Sequence, residues 1–217
     1  MFELHHLSAQ EQWDWLQRGE ITPVELTRHY LDRIERLDGA LGAFMTVTPE
    51  AALARAASLA DTVPKTAPLW GLPIGDKDLV NRAAVRTGYG SRLMNGFVPD
   101  RSDAIVEVLD AAGAVSLGKT SAPEFGLPSY TESLVAPPAR TPWNTELGAG
   151  GSSGGAAVAV AAGLLPFAPG SDGGAPYASP PPHAGLSGSS PRGGSCRAEP
   201  ASAPSADLSY RGRSPDP

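Results

Sequence analysis

Two features of this 217-residue chain could do chemistry. Gly150-Gly151-Ser152-Ser153-Gly154-Gly155 leads without a break into an apolar stretch that starts at Ala156, and Lys77 sits among Pro73, Ile74 and Leu79. By composition a Gly/Ser run is a flexible linker. A linker has no reason to flow straight into an apolar helix, whereas a glycine-rich loop at a helix start can aim backbone N–H groups at a ligand. Phosphate is one candidate, but the lysine that follows the last glycine of a phosphate-binding loop is absent and Ala156 stands there. Lys77 also reads two ways. It is a surface residue with its neighbours turned inward, or it is buried, and a buried lysine sheds its proton readily enough to act as a general base. Spacing alone does not join Lys77 to Ser152.

The elements that would position these groups are legible as helices and strands in alternation. Ser8 and Glu11 have the form of a capping box, followed by a helix over about 9–18 with Trp13 and Leu16 on one face. Thr22-Pro23-Val24-Glu25 repeats the device with proline at the first helical position. The helix it opens places Leu26, Tyr30, Ile34 and Leu37 at three-to-four spacing. A third, Ala-rich helix is expected from Glu50 to about Asp61, and a strand from Gly71 towards Lys77. Asp103 to Ala112 reads as a helix with Ile105, Val106 and Leu109 inward, leading across Gly113 into a strand from Ala114. Ala156 to Leu165 reads as a buried apolar helix. The alternation argues for α/β layering.

Composition bounds the rest. The formal charge of −6 and the lack of a basic patch argue against a direct nucleic-acid partner. The single cysteine, Cys196, excludes an intrachain disulfide and a Cys-based zinc site, and no apolar run is long enough to cross a membrane. With no signal-peptide pattern at MFELHHLSAQ, the expected location is the cytoplasm. From Ala175 to Pro217 the chain is dominated by Pro, Ser, Ala and Gly, with Leu186 and Leu208 its only large aliphatic residues. Such a tail is expected to be disordered, because it cannot bury enough surface to offset the entropy of ordering it.

GLPIGDKDL from Gly71, GAVSLGKTSAPEFG from Gly113, TPWN from Thr141 and GGSSGGAAVAVAAGLLPFAPGSDGG from Gly150 together resemble the amidase signature family of serine hydrolases. The resemblance runs from about Glu3 to Gly174. It implies an α/β core of mixed strands wrapped by helices, and a Ser-Ser-Lys triad that hydrolyses carboxamides without a cofactor or metal. Residues 1–174 would then be the N-terminal part of an amidase domain and 175–217 a tail. By the resemblance Lys77 is the basic lysine, Ser152 the bridging serine on a cis peptide, Ser153 a secondary hydrogen-bonding serine, and Gly173 and Gly174 oxyanion donors. The implied partner is a small-molecule amide.

The chain departs from the family where the chemistry should finish. Laid on Gly170 onward, the family pattern G-S-D-G-G-G-S-I-R puts its nucleophilic serine at position 176, which is Pro176. Proline has neither a hydroxyl to attack with nor an N–H to donate. Ala175 replaces a glycine, Tyr177-Ala178 replace Ile-Arg, Asp76 stands where an apolar residue flanks the lysine, and Pro169 is also atypical. Back-translated and read one base earlier, the segment after Gly174 permits the family's G-S-I-R and its continuation. A lost base near the Gly174 codon is therefore expected, leaving a truncated, inactive amidase with apolar surface open to self-association. The alternatives are a non-catalytic amide-binding or interaction remnant and a fragment of the glutaminase subunit of a tRNA-dependent amidotransferase.

Overall fold

The computed structural model describes residues 3–171. The expectations for Gly173, Gly174, Pro176 and the 175–217 tail lie outside the described residues.

Both capping boxes form. Ser8 Oγ accepts the Glu11 N–H at the start of α1 (Ala9–Arg18), and Thr22 Oγ1 accepts that of Glu25 at the start of α2 (Pro23–Leu41). In each, the glutamate returns the bond to the N-cap N–H, so two donors that the helix cannot satisfy are used. Leu26, Tyr30 and Ile34 bury the inner stripe of α2, while Leu37 falls just outside it at 38% exposure. Gly42 ends α2 in the left-handed region, and a side chain there would also meet the Pro138 carbonyl.

The chain then enters β1 (Phe44–Val47), followed by α3 (Pro49–Thr62), β2 (Pro73–Lys77), α4 (Ala104–Ala111) and β3 (Val115–Thr120). The sheet order is β1-β3-β2, with β3 antiparallel to β1 and parallel to β2. The parallel pair needs a crossover, and the segment carrying α4 supplies it. Every residue of β2 is buried, as expected of a parallel strand covered on both faces. A two-stranded hairpin, β4 (Arg140–Thr141) and β5 (Asn144–Gly148), precedes α5 (Gly154–Ala161). The result is the mixed α/β architecture expected from the alternation. Among the described residues, no helix is long and apolar enough to cross a membrane.

The core gathers Leu16, Leu26, Tyr30 and Leu59 from the first three helices, Val115 and Leu117 from β3, and Val158, Leu164 and Leu165 from α5 and its exit. Two expectations need correction. In α4 only Val106 is fully buried; Leu109 is half-buried and Ile105 is 50% exposed, because this eight-residue helix rests on the body along a single row. The last helix begins two residues earlier than the apolar run and stops at Ala161; Leu164 and Leu165 reach the core from the turn beyond it.

Burial sets the expected cost of truncation. Leu26→Ala should lower unfolding free energy by about 2–5 kcal/mol, whereas Ile105→Ala should stay within about 0.5 kcal/mol. Urea titrations of the two variants check this; equal losses would contradict the packing described.

Candidate active site

The site is assembled at the carboxyl ends of β2 and β3. Lys77 ends β2 and pairs in register with Thr120, the last residue of β3. The chain leaving β3 then acts as a clamp. Ser121 N–H donates to the Ala43 carbonyl at 2.8 Å, and the Ser121 carbonyl accepts the Gly155 N–H at 3.1 Å. The glycine loop is thus tied to the sheet by backbone alone. A Cβ at Gly155 would lie closer to Ser121 N and to the Ala43 carbonyl oxygen than any side chain permits. One residue earlier, Gly154 N–H donates to Thr131 Oγ1 at 3.0 Å, and a Cβ at Gly154 would collide with that oxygen. The Gly/Ser run is therefore a packed loop, and its glycines are there for close approach.

The clamp delivers Ser152 to Lys77. The Gly151–Ser152 peptide is cis, and Ser152 Oγ lies 2.7 Å from Lys77 Nζ. Lys77 is 2% exposed and is also hydrogen-bonded to Ser171, 3.0 Å from its carbonyl oxygen and 3.2 Å from its hydroxyl. Ser153 holds the same residue from the other side: its hydroxyl donates to the Ser171 carbonyl and accepts the Ser171 N–H, both at 3.2 Å. Four polar residues from three chain segments converge. Lys77 Nζ donates to Ser152 Oγ and to the carbonyl and hydroxyl oxygens of Ser171, so three oxygens surround one nitrogen.

Alternation along β2 sends the neighbouring carboxylate elsewhere. Asp76 Oδ2 accepts from Arg82 Nε at 2.6 Å and from Ser116 Oγ at 2.7 Å, and Arg82 also grips Asp110 at 2.8 Å. Burial works against the Arg82 charge, but its bonds to Asp76 and Asp110 outweigh that and hold its pKa above the ordinary guanidinium value. The Asp76 charge is committed to this network.

Two further buried charged residues, Asp78 and Lys119, lie close to the site. Asp78 accepts the Gly88 N–H with both oxygens, and Lys119, wholly buried, donates to the Val80 carbonyl and to Thr87 Oγ1. Burial pushes Asp78 above the usual carboxylate range and Lys119 below the usual ammonium range, each only partly offset by the other. Sequence reasoning singled out neither residue, nor Thr131 and Ser171. Lys119 and Ser171 stand inside the family's motifs, so a signal existed for them; Thr131 carries none.

The amidase family model matches residues 25–206, so the matched residues continue past Gly174. The chain belongs to the amidase signature family. A glutamyl-tRNA(Gln) amidotransferase subunit of Methylococcus capsulatus is 44% identical over 190 residues, covering 87% of this chain and 39% of that protein. Among solved structures, 6-aminohexanoate cyclic dimer hydrolase superposes with a TM-score of 0.70 at 30% identity, over 76% of this chain and 33% of its own. A bacterial aryl acylamidase of the amidase signature family gives 0.68 at 28% identity, over 73% and 34%. This chain thus spans 39% of the length of the amidotransferase subunit it matches.

The buried Asp78 and Lys119 charges make a sharp test. Lys119→Met leaves the Val80 carbonyl and the Thr87 hydroxyl without their buried donor, so it should cost about 1–3 kcal/mol. The pH dependence follows in sign. The folded pKa of Lys119 lies below the 10.5 of the free side chain, so the unfolded chain holds this proton more tightly. Stability from this group is lost as pH falls from 10.5 towards the folded value and is regained on raising it. Thermal melts in mildly alkaline buffers should show the stability of wild type over Lys119→Met widening with pH; a constant difference would count against the assignment.

Proposed function

We propose that Lys77 and Ser152 are the proton-relay half of a serine hydrolase acting on carboxamide C–N bonds, and that this chain cannot complete the reaction because Pro176 occupies the nucleophile's position. The single observation that carries the reading is the 2.7 Å approach of Ser152 Oγ to the buried Lys77 Nζ. In the intact reaction the Lys77 amine takes the Ser152 hydroxyl proton while Ser152 Oγ takes that of the nucleophilic serine. The serine oxygen attacks the amide carbon, and the N–H groups of Gly173 and Gly174 hold the oxyanion. Collapse breaks the C–N bond, the proton returns through Ser152 to the leaving nitrogen, and water then frees the acid. Ser153 serves as a positioning residue by holding Ser171, from which the chain runs towards position 176.

The tail after Gly174 is read as the neighbouring frame of the same gene. The nucleotide sequence across codons 170–180 tests this directly, and an intact frame with no G-S-I-R in its neighbour would end the idea. A second reading, in which the intact protein is the glutaminase subunit of a tRNA-dependent amidotransferase, is supported by the 44% identity to a glutamyl-tRNA(Gln) amidotransferase subunit, against 30% for the hydrolase of cyclic amides.

The assay compares three proteins on glutamine and on simple aliphatic and aryl amides: the chain as it stands, a frame-restored form with serine at 176, and that form carrying Lys77→Ala. Only the restored form should turn over, with the lysine variant slower by at least about 10³-fold. Turnover by the present chain at the restored rate would overturn the assignment. Glutamine hydrolysis that appears only with partner subunits added, and their co-purification, would select the second reading.

A further inference from the structure

Three of the chain's four histidines gather at one place that amide chemistry does not use. Leu4–His6 forms a single 3-10 turn, closed by the His6 N–H donating to the Glu3 carbonyl at 3.0 Å. In a turn of three residues per revolution, positions three apart eclipse, so Glu3 and His6 share an edge with His5 beside them. His5 Nε2 is 3.3 Å from Glu3 Oε2, and one ligand atom from each of Glu3, His5 and His6 lies within 4.8 Å of the others. Two ligands of a tetrahedral zinc ion, bonded at about 2.0–2.1 Å, are themselves about 3.3 Å apart. The His5–Glu3 separation is already such an edge.

The other face of His5 is built as a ligating histidine requires. Its Nδ1 lies 3.2 Å from His29 Nε2 on α2, and the two rings stack at 5.3 Å and 21°. His29 is held in turn by an edge-to-face contact with buried Tyr30. Behind His5, Gly163 leaves room for the ring, since a Cβ there would sit 3.0 Å from His5 Cδ2. An imidazole that binds a metal through one nitrogen characteristically donates its other N–H to a fixed acceptor, which sets the tautomer and the orientation.

We infer that Glu3, His5 and His6 form a binding site for a divalent transition-metal ion, zinc foremost, with His29 accepting the His5 Nδ1–H behind it and water completing the tetrahedron. One feature opposes the ion. The Arg33 guanidinium, anchored on the Ala162 and Gly163 carbonyls, reaches to 3.9 Å from Glu3 Oε2 and competes for that carboxylate. The metal would fix the N-terminal turn and, through the His5–His29 hydrogen bond, its seat on α2, a role independent of the amide site.

The test is calorimetric titration of the untagged, chelator-stripped full chain with zinc chloride. One zinc per chain is expected. Glu3→Gln and His6→Ala, both at exposed positions, should each weaken binding at least tenfold, and His29→Phe by about 10–100-fold. Zinc should also raise the melting temperature of wild type and not that of His6→Ala. His183→Ala with Cys196→Ser, which removes the remaining soft ligands, should bind like wild type. Absence of uptake, uptake unchanged in the Glu3→Gln/His6→Ala double variant, or uptake lost with His183 and Cys196 would each overturn the inference.

Discussion

The arrangement of this chain depends on one backbone contact: the Gly155 N–H on the Ser121 carbonyl, with Ser121 itself hydrogen-bonded to the start of β1. The contact exists only because position 155 has no side chain. Its consequence is positional. By fixing the first turn of α5 against the end of β3, it presents Ser152 to the adjacent end of β2, where Lys77 emerges. A loop held by side chains could shift with their rotamers; one held by a peptide group against a sheet cannot shift without breaking the ladder. The hydroxyl–amine distance is thus set by the rigid part of the fold, which is where a proton relay gains most from being preformed.

Charge is organised around the same strand by its two-residue period. Gly75 and Lys77 face the exit of α5 and the glycine loop, and Asp76 faces Arg82 and Ser116. An acidic residue next to a prospective base is adverse in principle, since a nearby negative charge favours the ammonium form. Folded, the Asp76 carboxylate is bound to a guanidinium that Asp110 also holds, so its field at Lys77 is partly cancelled. Lys119, bonded to the Val80 carbonyl and Thr87, and Asp78, bonded to the Gly88 N–H, hold the loop after β2 against the sheet.

Legibility in the sequence followed the range of the interactions. α1 and the start of α2 were readable to within a residue, because their capping boxes and apolar spacing are local. The burial of Leu26, Tyr30 and Ile34 followed from period alone, and the period failed at Leu37 and Ile105, where the stripe is narrower than three-to-four spacing implies. β1, four residues between two helices, and the β4–β5 hairpin gave no signal, since their strand character comes from pairing with partners that local pattern does not reveal. The same holds for the site. Ser152 and Lys77 were found by motif, but their contact is made by Ser121, Ala43 and Thr131, of which only Ser121 stands inside a motif. The Gly/Ser run was ambiguous for the same reason: its glycines are explained only by the atoms they touch.

The family resemblance and the geometry bear on different halves of the chemistry. The geometry joins Ser152 to Lys77, and the proposed nucleophile position lies in the sequence after Ser171. Ser171, the last described residue, is held by both Lys77 and Ser153. A relay of this kind is a stable assembly whether or not a nucleophile comes after it, for its hydroxyls and amine satisfy one another. Its presence therefore speaks for the ancestry of the fold and for proton transfer, and it cannot by itself make a peptide chain a catalyst. On the proposed assignment the reaction needs an oxygen at position 176, which a proline does not carry.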